Sequence, residues 1–288
     1  MKKWLAKLLA VSLVLGILPG SALAEETSVA VESRNFPDPH FREYVSTQLD
    51  SDRSGSLSSQ ELEAVTEIRV PGLDIQDLTG IGYFENLRLL DCSRNELKKL
   101  DVSKNTELTW LSCRENQIVK LELQKNPALR SLDCGSNGLQ TLQVGEALTS
   151  LNCSDNELTE LQIGSALTRL DCSYNGLQAL IFPEDSALQE LSCAGNRLTV
   201  LEAEKAQNLR TLDCSFNSLE TLAVGEHIQE LFCAGNRLTA LELSKATGLR
   251  RLDCADNQLE TLAAELNAGA TLKEAAGAFC RNVFDGKS

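Results

Sequence analysis

From Cys92 to Cys254 a cysteine recurs at 92, 113, 134, 153, 172, 193, 214, 233 and 254, each 19 or 21 residues after the last. Three residues beyond each stands an asparagine, at 95, 116, 137, 156, 175, 196, 217, 236 and 257. The frame Leu87-x-x-Leu90-x-Cys92-x-x-Asn95-x-Leu97 returns in register to the end of the array. A period this regular restricts the chain to an array of identical units, each touching only its neighbours.

The spacing within one unit sets its local structure. Leu90 and Cys92 are two apart and share one face of a strand, while Leu89, Asp91 and Ser93 share the other. A single unit cannot cover its own apolar face, so the units must stack into a continuous core. The asparagines fall where each strand leaves the sheet. Their amides have the donors and acceptor needed to bond the backbone groups that such a turn leaves unpaired. A repeat of 19 to 21 residues has no room for a full helix on its return side. Segments such as Leu121-Glu122-Leu123 and Leu241-Glu242-Leu243 are therefore expected to be extended or tightly turned.

This frame resembles that of the leucine-rich-repeat family, over about residues 65 to 264, with cysteine where the third leucine of the family frame usually stands. Signatures such as Leu100-Asp101-Val102-Ser103-Lys104-Asn105-Thr106 look like the short cysteine-containing repeats of exported bacterial proteins related to the internalins. The resemblance implies a repeat solenoid, mostly β, wound as a right-handed superhelix with a concave parallel sheet and helical N- and C-terminal caps.

Around that array the chain divides into four parts. Residues 1–24 read as a signal peptide: Lys2, Lys3 and Lys7 precede the apolar run Leu8 to Leu18, and Ser21-Ala22-Leu23-Ala24 offers small residues for cleavage. Residues 25–64 form an N-terminal helical cap, 65–264 the repeats, and 265–288 a C-terminal cap and tail. In that last part Thr271-Leu272-Lys273-Glu274 reads as a capping box opening a helix over 271–283. The expected product is secreted or cell-surface associated, monomeric, and without membrane insertion. The formal charge is −14, and loss of a three-lysine leader makes the mature chain more acidic still. Such a surface disfavours nucleic acid as a partner.

Ten cysteines in an exported chain ordinarily suggest disulfides. Nine of them share one column, however, where parallel side-chain vectors fit a disulfide poorly. Buried thiols are the favoured reading, with bridging of adjacent pairs as the alternative. Cys280 stands outside the column and is read as a packed thiol of the cap.

One segment has the chemistry of a metal site. Asp50-Ser51-Asp52-Arg53-Ser54-Gly55-Ser56-Leu57-Ser58-Ser59-Gln60-Glu61 looks like an EF-hand calcium loop. That resemblance assigns oxygen ligands to Asp50, Asp52 and Ser54, a main-chain carbonyl to Ser56, the sharp turn to Gly55 and a bidentate carboxylate to Glu61. Serine at the fifth position and the lack of a partner hand point to a weak structural site, about 10⁻⁴–10⁻³ M. The alternative is a capped turn between two helices that holds no metal. Asp38-Pro39 is placed to open the first helix, and Ser58 to cap the second.

On the outward face of the sheet one column reads Asp91, Ser112, Asp133, Asn152, Asp171, Ser192, Asp213, Phe232, Asp253. The preceding column runs from Leu89 and Trp110 to Glu230 and Arg251. Nine strands span roughly 40 Å at ~4.8 Å per strand, a length suited to a macromolecule. Trp110, Tyr174, Phe216 and Phe232 are expected on or beside this face, among acidic residues interrupted by Arg114, Arg169 and Arg251. These residues are the candidate contacts for a protein ligand on a host or bacterial surface. A passive surface-layer component or a glycan binder is the alternative. No Gly-x-Ser-x-Gly motif or paired histidines point to an enzyme.

Overall fold

The structure, a computed structural model, describes residues 28–263 and 274–276. The expected signal peptide and Cys280 lie outside the described residues. Ten three-residue strands, one per turn from Glu67–Arg69 to Arg251–Asp253, lie side by side in a single parallel sheet. Equivalent residues pair: Leu90 opposite Leu111, Leu111 opposite Leu132, and so on to Leu231 opposite Leu252. Behind the sheet the chain returns through turns, with 3₁₀ turns among the described residues at Ile81–Tyr83 and Ala203–Lys205. A short parallel pair, Ala240–Glu242 with Thr261–Ala263, closes the back of the last turns.

The core is built of stacked columns, one residue per turn in each. Strand leucines such as Leu111, Leu132 and Leu151, the cysteines, and back-side residues such as Val102, Leu123 and Phe182 are all buried. Each buried leucine contributes about 1.5–3 kcal/mol relative to exposure. Every described cysteine from 92 to 233 is a free, buried thiol. Burial pushes the Cys113 and Cys233 thiols up to about 12 and the others higher still, so they stay protonated and inert. Several donate weakly outward along the array, as Cys92 Sγ does to the Ser112 carbonyl at 3.4 Å.

The last member of the column corrects the expectation of nine thiols. Cys254 is disulfide-bonded, whereas its neighbour Cys233 is free. The bond therefore does not run along the column, where parallel side-chain vectors oppose it.

Nine asparagines tie the turns together. Asn156 Nδ2 donates to the carbonyls of Cys134, Cys153 and Ser154, each at 3.1 Å, and its Oδ1 accepts from the Leu139 N–H at 2.9 Å. The same set recurs from Asn116 to Asn257. A second, shorter set sits on the return side. Asn105 Nδ2 donates to the Ile81 and Phe84 carbonyls, and Asn126 Nδ2 to those of Val102 and Asn105.

At the N-terminal end two short helices precede the first turn. α1 (Pro39–Tyr44) starts at Asp38 and runs on into a five-residue π turn, Val45–Leu49. α2 (Ser59–Ala64) has a reciprocal capping box between Ser58 and Glu61. Phe36, Phe41, Val45 and Leu57 are buried with Ile81 and Phe84 of the first turn. Gly80, at φ 105°, is required here: a Cβ would come 2.5 Å from the Phe36 ring and 2.6 Å from the Asn35 carbonyl.

At the C-terminal end the expected helix over 271–283 is corrected within the described residues. Glu274–Ala276 is a strand that pairs in parallel with Arg251–Asp253. The final repeat strand presents unpaired N–H and C=O groups along its open edge, and an added strand satisfies them where a helix would leave them bare. The rest of that segment lies outside the described residues.

Replacing Asn156 with alanine strands carbonyls on two turns and the Leu139 N–H. The Asn156→Ala variant is expected to lose about 1–3 kcal/mol in urea denaturation, with little change in reactivity of the native thiols.

Candidate calcium loop and concave face

The loop between α1 and α2 is held by its own carboxylates. Asp50 Oδ1 accepts from the Ser54 N–H at 3.0 Å and Oδ2 from the Gly55 N–H at 2.9 Å. Asp52 Oδ1 accepts from the Ser54 N–H at 2.9 Å. Arg53 and Gly55 have positive φ, 59° and 82°, which curls the chain around these oxygens. Glu61 swings back from α2: Oε1 accepts from the Ser51 N–H and Oγ at 2.7 and 2.6 Å, and Oε2 from the Ser58 N–H at 2.9 Å.

One carboxylate oxygen from each of Asp50, Asp52 and Glu61 therefore lies within 4.8 Å of the others. Hydrogen bonds from Ser51 and Ser58 hold Glu61 down at about 2, so all its charge is available at neutral pH. An all-oxygen set built around carboxylates suits a hard divalent cation. Of the remaining expected ligands, the Ser54 hydroxyl donates to the Ser56 carbonyl at 2.8 Å, so these two oxygens are engaged with each other.

The sequence shows no second hand, yet the loop has a partner strand. Ser56–Leu57 pairs antiparallel with Val29–Ala30, Leu57 opposite Val29. No sequence signal identifies this pairing, because two residues are too few to show a strand period. Asp38 was likewise visible only as a helix cap. Its Oδ1 accepts from the His40 and Phe41 N–H groups, and Oδ2 from the Gln76 and Asp77 N–H groups of the first turn. Burial raises its carboxyl, but those four N–H groups outweigh burial and hold it below 3.8.

On the solenoid, Trp110 sits half-buried on the outward face of its strand, between Leu89 and Ser131. Phe232 sits between Asp213 and Asp253, with the Arg251 guanidinium 5.3 Å from its ring centroid. Six strand-to-strand steps separate these two aromatics, roughly 29 Å at ~4.8 Å per step. Tyr174 and Phe216 lie beside the sheet rather than on it. They occupy the turn that leaves the sheet and are 61% and 59% exposed. Arg169 pairs with Glu190 at 3.3 Å, Arg251 with Glu230 at 3.5 Å and Arg114 with Glu115 at 3.0 Å.

The aspartates of the central column are half-buried and engaged. Asp91 Oδ1 accepts from the Ser93 N–H and Oγ at 3.1 and 2.6 Å, and Asp133, Asp171, Asp213 and Asp253 take the same N–H two residues on. They shape the exit from each strand. Burial raises Asp133 against the pull of the Gly135 N–H and Arg114, and the like charges of Asp171 and Asp91 add to the rise.

The fold is a leucine-rich-repeat solenoid. No family model matches the chain. Over 71 residues it is 32% identical to Internalin J of Listeria monocytogenes serotype 4b, a match covering 25% of this chain and 8% of that protein. Among solved structures it is similar to the functional domain of InlJ from Listeria monocytogenes, which includes a cysteine ladder. The TM-score is 0.67 at 28% identity, over 83% of this chain and 62% of that one. A leucine-rich-repeat protein of Leptospira interrogans shares the fold, with a TM-score of 0.62 at 24% identity, over 70% of this chain and 57% of that one. The chain thus spans less than two thirds of the length of each of these relatives. Among the described residues no helix is long and apolar enough to cross a membrane.

The Asp38 geometry gives a pH dependence with a definite sign. A carboxyl held below its unfolded value stabilises the fold above about pH 3.8 and loses that contribution as pH falls below it. Asp38→Ala is expected to cost about 1–3 kcal/mol at neutral pH, and the gap from the parent should narrow in melts at decreasing pH.

Proposed function

We propose that this is a secreted, non-catalytic protein-binding module that uses the concave face of its solenoid against a protein on a host or bacterial surface. The observation that carries this reading is the outward placement of Trp110 and Phe232 on an extended sheet whose arginines are already matched to neighbouring glutamates. Large aromatic groups on the solvent side of a sheet are costly to leave bare, and they are enriched among residues that dominate binding energy. A long, shallow, continuous surface suits a macromolecule better than a small substrate. Similarity to Internalin J and to the InlJ functional domain supports a bacterial surface role.

We further propose that the loop from Asp50 to Glu61 holds a structural calcium ion, with Asp50, Asp52 and Glu61 as its charged ligands and Ser54 and Ser56 completing the set. What supports this is the convergence of three carboxylates within 4.8 Å, despite the repulsion that costs. The ion would lock the two helices that precede the first turn, leaving the concave face rigid.

Two measurements test these assignments. Millimolar calcium is expected to raise the melting temperature of the full chain, and Glu61→Gln, which keeps the helix cap, should abolish the rise. Identical melts with and without calcium would remove the metal assignment. For the concave face, Trp110→Ala and Phe232→Ala should each weaken capture of a surface protein by about 1 kcal/mol or more while leaving the melting temperature nearly unchanged. Undiminished capture by both variants would remove that surface from consideration.

A further inference from the structure

The residue before each ladder asparagine adopts a left-handed backbone, with φ between 52° and 67° at 94, 115, 136, 155, 174, 195, 216, 235 and 256. Glycine, asparagine and aspartate tolerate this conformation, and a bulky aromatic is disfavoured there. Along four successive turns the position nevertheless reads Tyr174, Gly195, Phe216, Gly235. Each ring lies across the glycine of the next turn. A Cβ on Gly195 would come 2.7 Å from Tyr174 Cδ1, and one on Gly235 would come 2.6 Å from Phe216 Cδ1. The glycines thus make room for the rings to lie flat, while both aromatics stay about 60% exposed at 61% and 59%.

Two residues after each glycine stands an exposed arginine, Arg197 and Arg237. The arginines near the concave face, Arg94, Arg114, Arg169 and Arg251, are all paired with glutamates. Among the described residues Arg197 and Arg237 form no ion pair. The strip ends in acid on both sides, at Asp155 and Asp256. It is a local cationic and aromatic patch on a chain of charge −14.

Spacing selects the occupant. The two rings are two turns apart, about 9.6 Å at ~4.8 Å per strand. A polyproline II segment advances about 9.3 Å in three residues, so prolines at every third position would meet both rings in step. We propose that Tyr174 and Phe216, with Arg197 and Arg237, form a ledge that binds an acidic, proline-containing segment of a partner protein in the polyproline II conformation. The prolines stack on the rings, and carboxylates between them pair with the arginines. This rests on the protein-binding reading above and names the chemistry of the partner.

The test uses the full chain and a labelled twelve-residue peptide repeating Pro-Glu-Ala, read by fluorescence anisotropy. Controls are the same peptide with glycine for proline, the same peptide with lysine for glutamate, and an oligogalacturonate as an acidic glycan. Saturable binding is expected for Pro-Glu-Ala alone. The double variant Tyr174→Asn with Phe216→Asn suits the left-handed backbone, so it should melt at or above the parent temperature yet bind about tenfold or more weakly. Arg197→Ala with Arg237→Ala should weaken binding and flatten its salt dependence. No binding by the parent chain, equal binding of the glycine peptide, or binding of the oligogalacturonate instead would overturn the proposal. So would full peptide binding by the asparagine variant, or a lower melting temperature that marks the rings as a structural cover. Capture of a surface protein is run alongside. If parent and asparagine variant capture it equally while Trp110→Ala does not, the ledge is excluded and the concave-face reading stands. If the parent captures nothing yet binds the peptide, only the concave-face reading fails.

Discussion

Where each repeat strand leaves the sheet, one asparagine amide ties that turn to the one before it. The side chain donates to the cysteine carbonyl of its own turn and to that of the preceding turn, and accepts from the preceding leucine N–H. In a solenoid with no helix in the repeat, that exit turn would otherwise leave buried carbonyls and an N–H without partners, at about 1–3 kcal/mol for each group. The amide resolves this with one side chain of fixed length, which is why the turns stack at constant register. The thiol column and the strand leucines depend on that register, because they pack only when equivalent residues lie over one another.

The same regularity explains the division between scaffold and surface. Residues that point inward hardly vary, since a cysteine in that column fills a small dry space between strands and burial keeps its thiol protonated. Residues that point outward are under no such restriction. The central aspartates are an intermediate case: they look like a binding stripe, yet each accepts the N–H two residues on and so belongs to the turn. Trp110 and Phe232 have no such duty, and on them the functional reading rests; among the described residues Arg197 and Arg237 likewise form no ion pair.

The two ends are built on different physics from the middle. At the start, Asp38 joins the first helix to the first turn with four N–H groups, and the rings of Phe36, Phe41 and Phe84 fill the space between. The loop from Asp50 to Glu61 sits beyond that seam, with Glu61 serving both the loop and the cap of the second helix. At the other end the sheet is extended by one more strand, Glu274–Ala276, where helical spacing had suggested a helix.

What could be read from residues alone was whatever repeats or whatever is local. The nine-fold frame dictates parallel strands, an inward cysteine column and an asparagine ladder, and the spacing of Asp50, Asp52 and Glu61 brings their carboxylates together without help from the rest of the chain. What only the tertiary structure decided involves contacts between segments with no shared period. Asp38 reaching Gln76 and Asp77, Val29 pairing with Leu57, the bonded state of Cys254 and the terminal strand are of this kind. So are the rings of Tyr174 and Phe216 lying on the next turn's glycines. Periodic packing leaves its imprint on every repeat, whereas a contact made once, between distant segments, is set by the shape the whole chain has already taken.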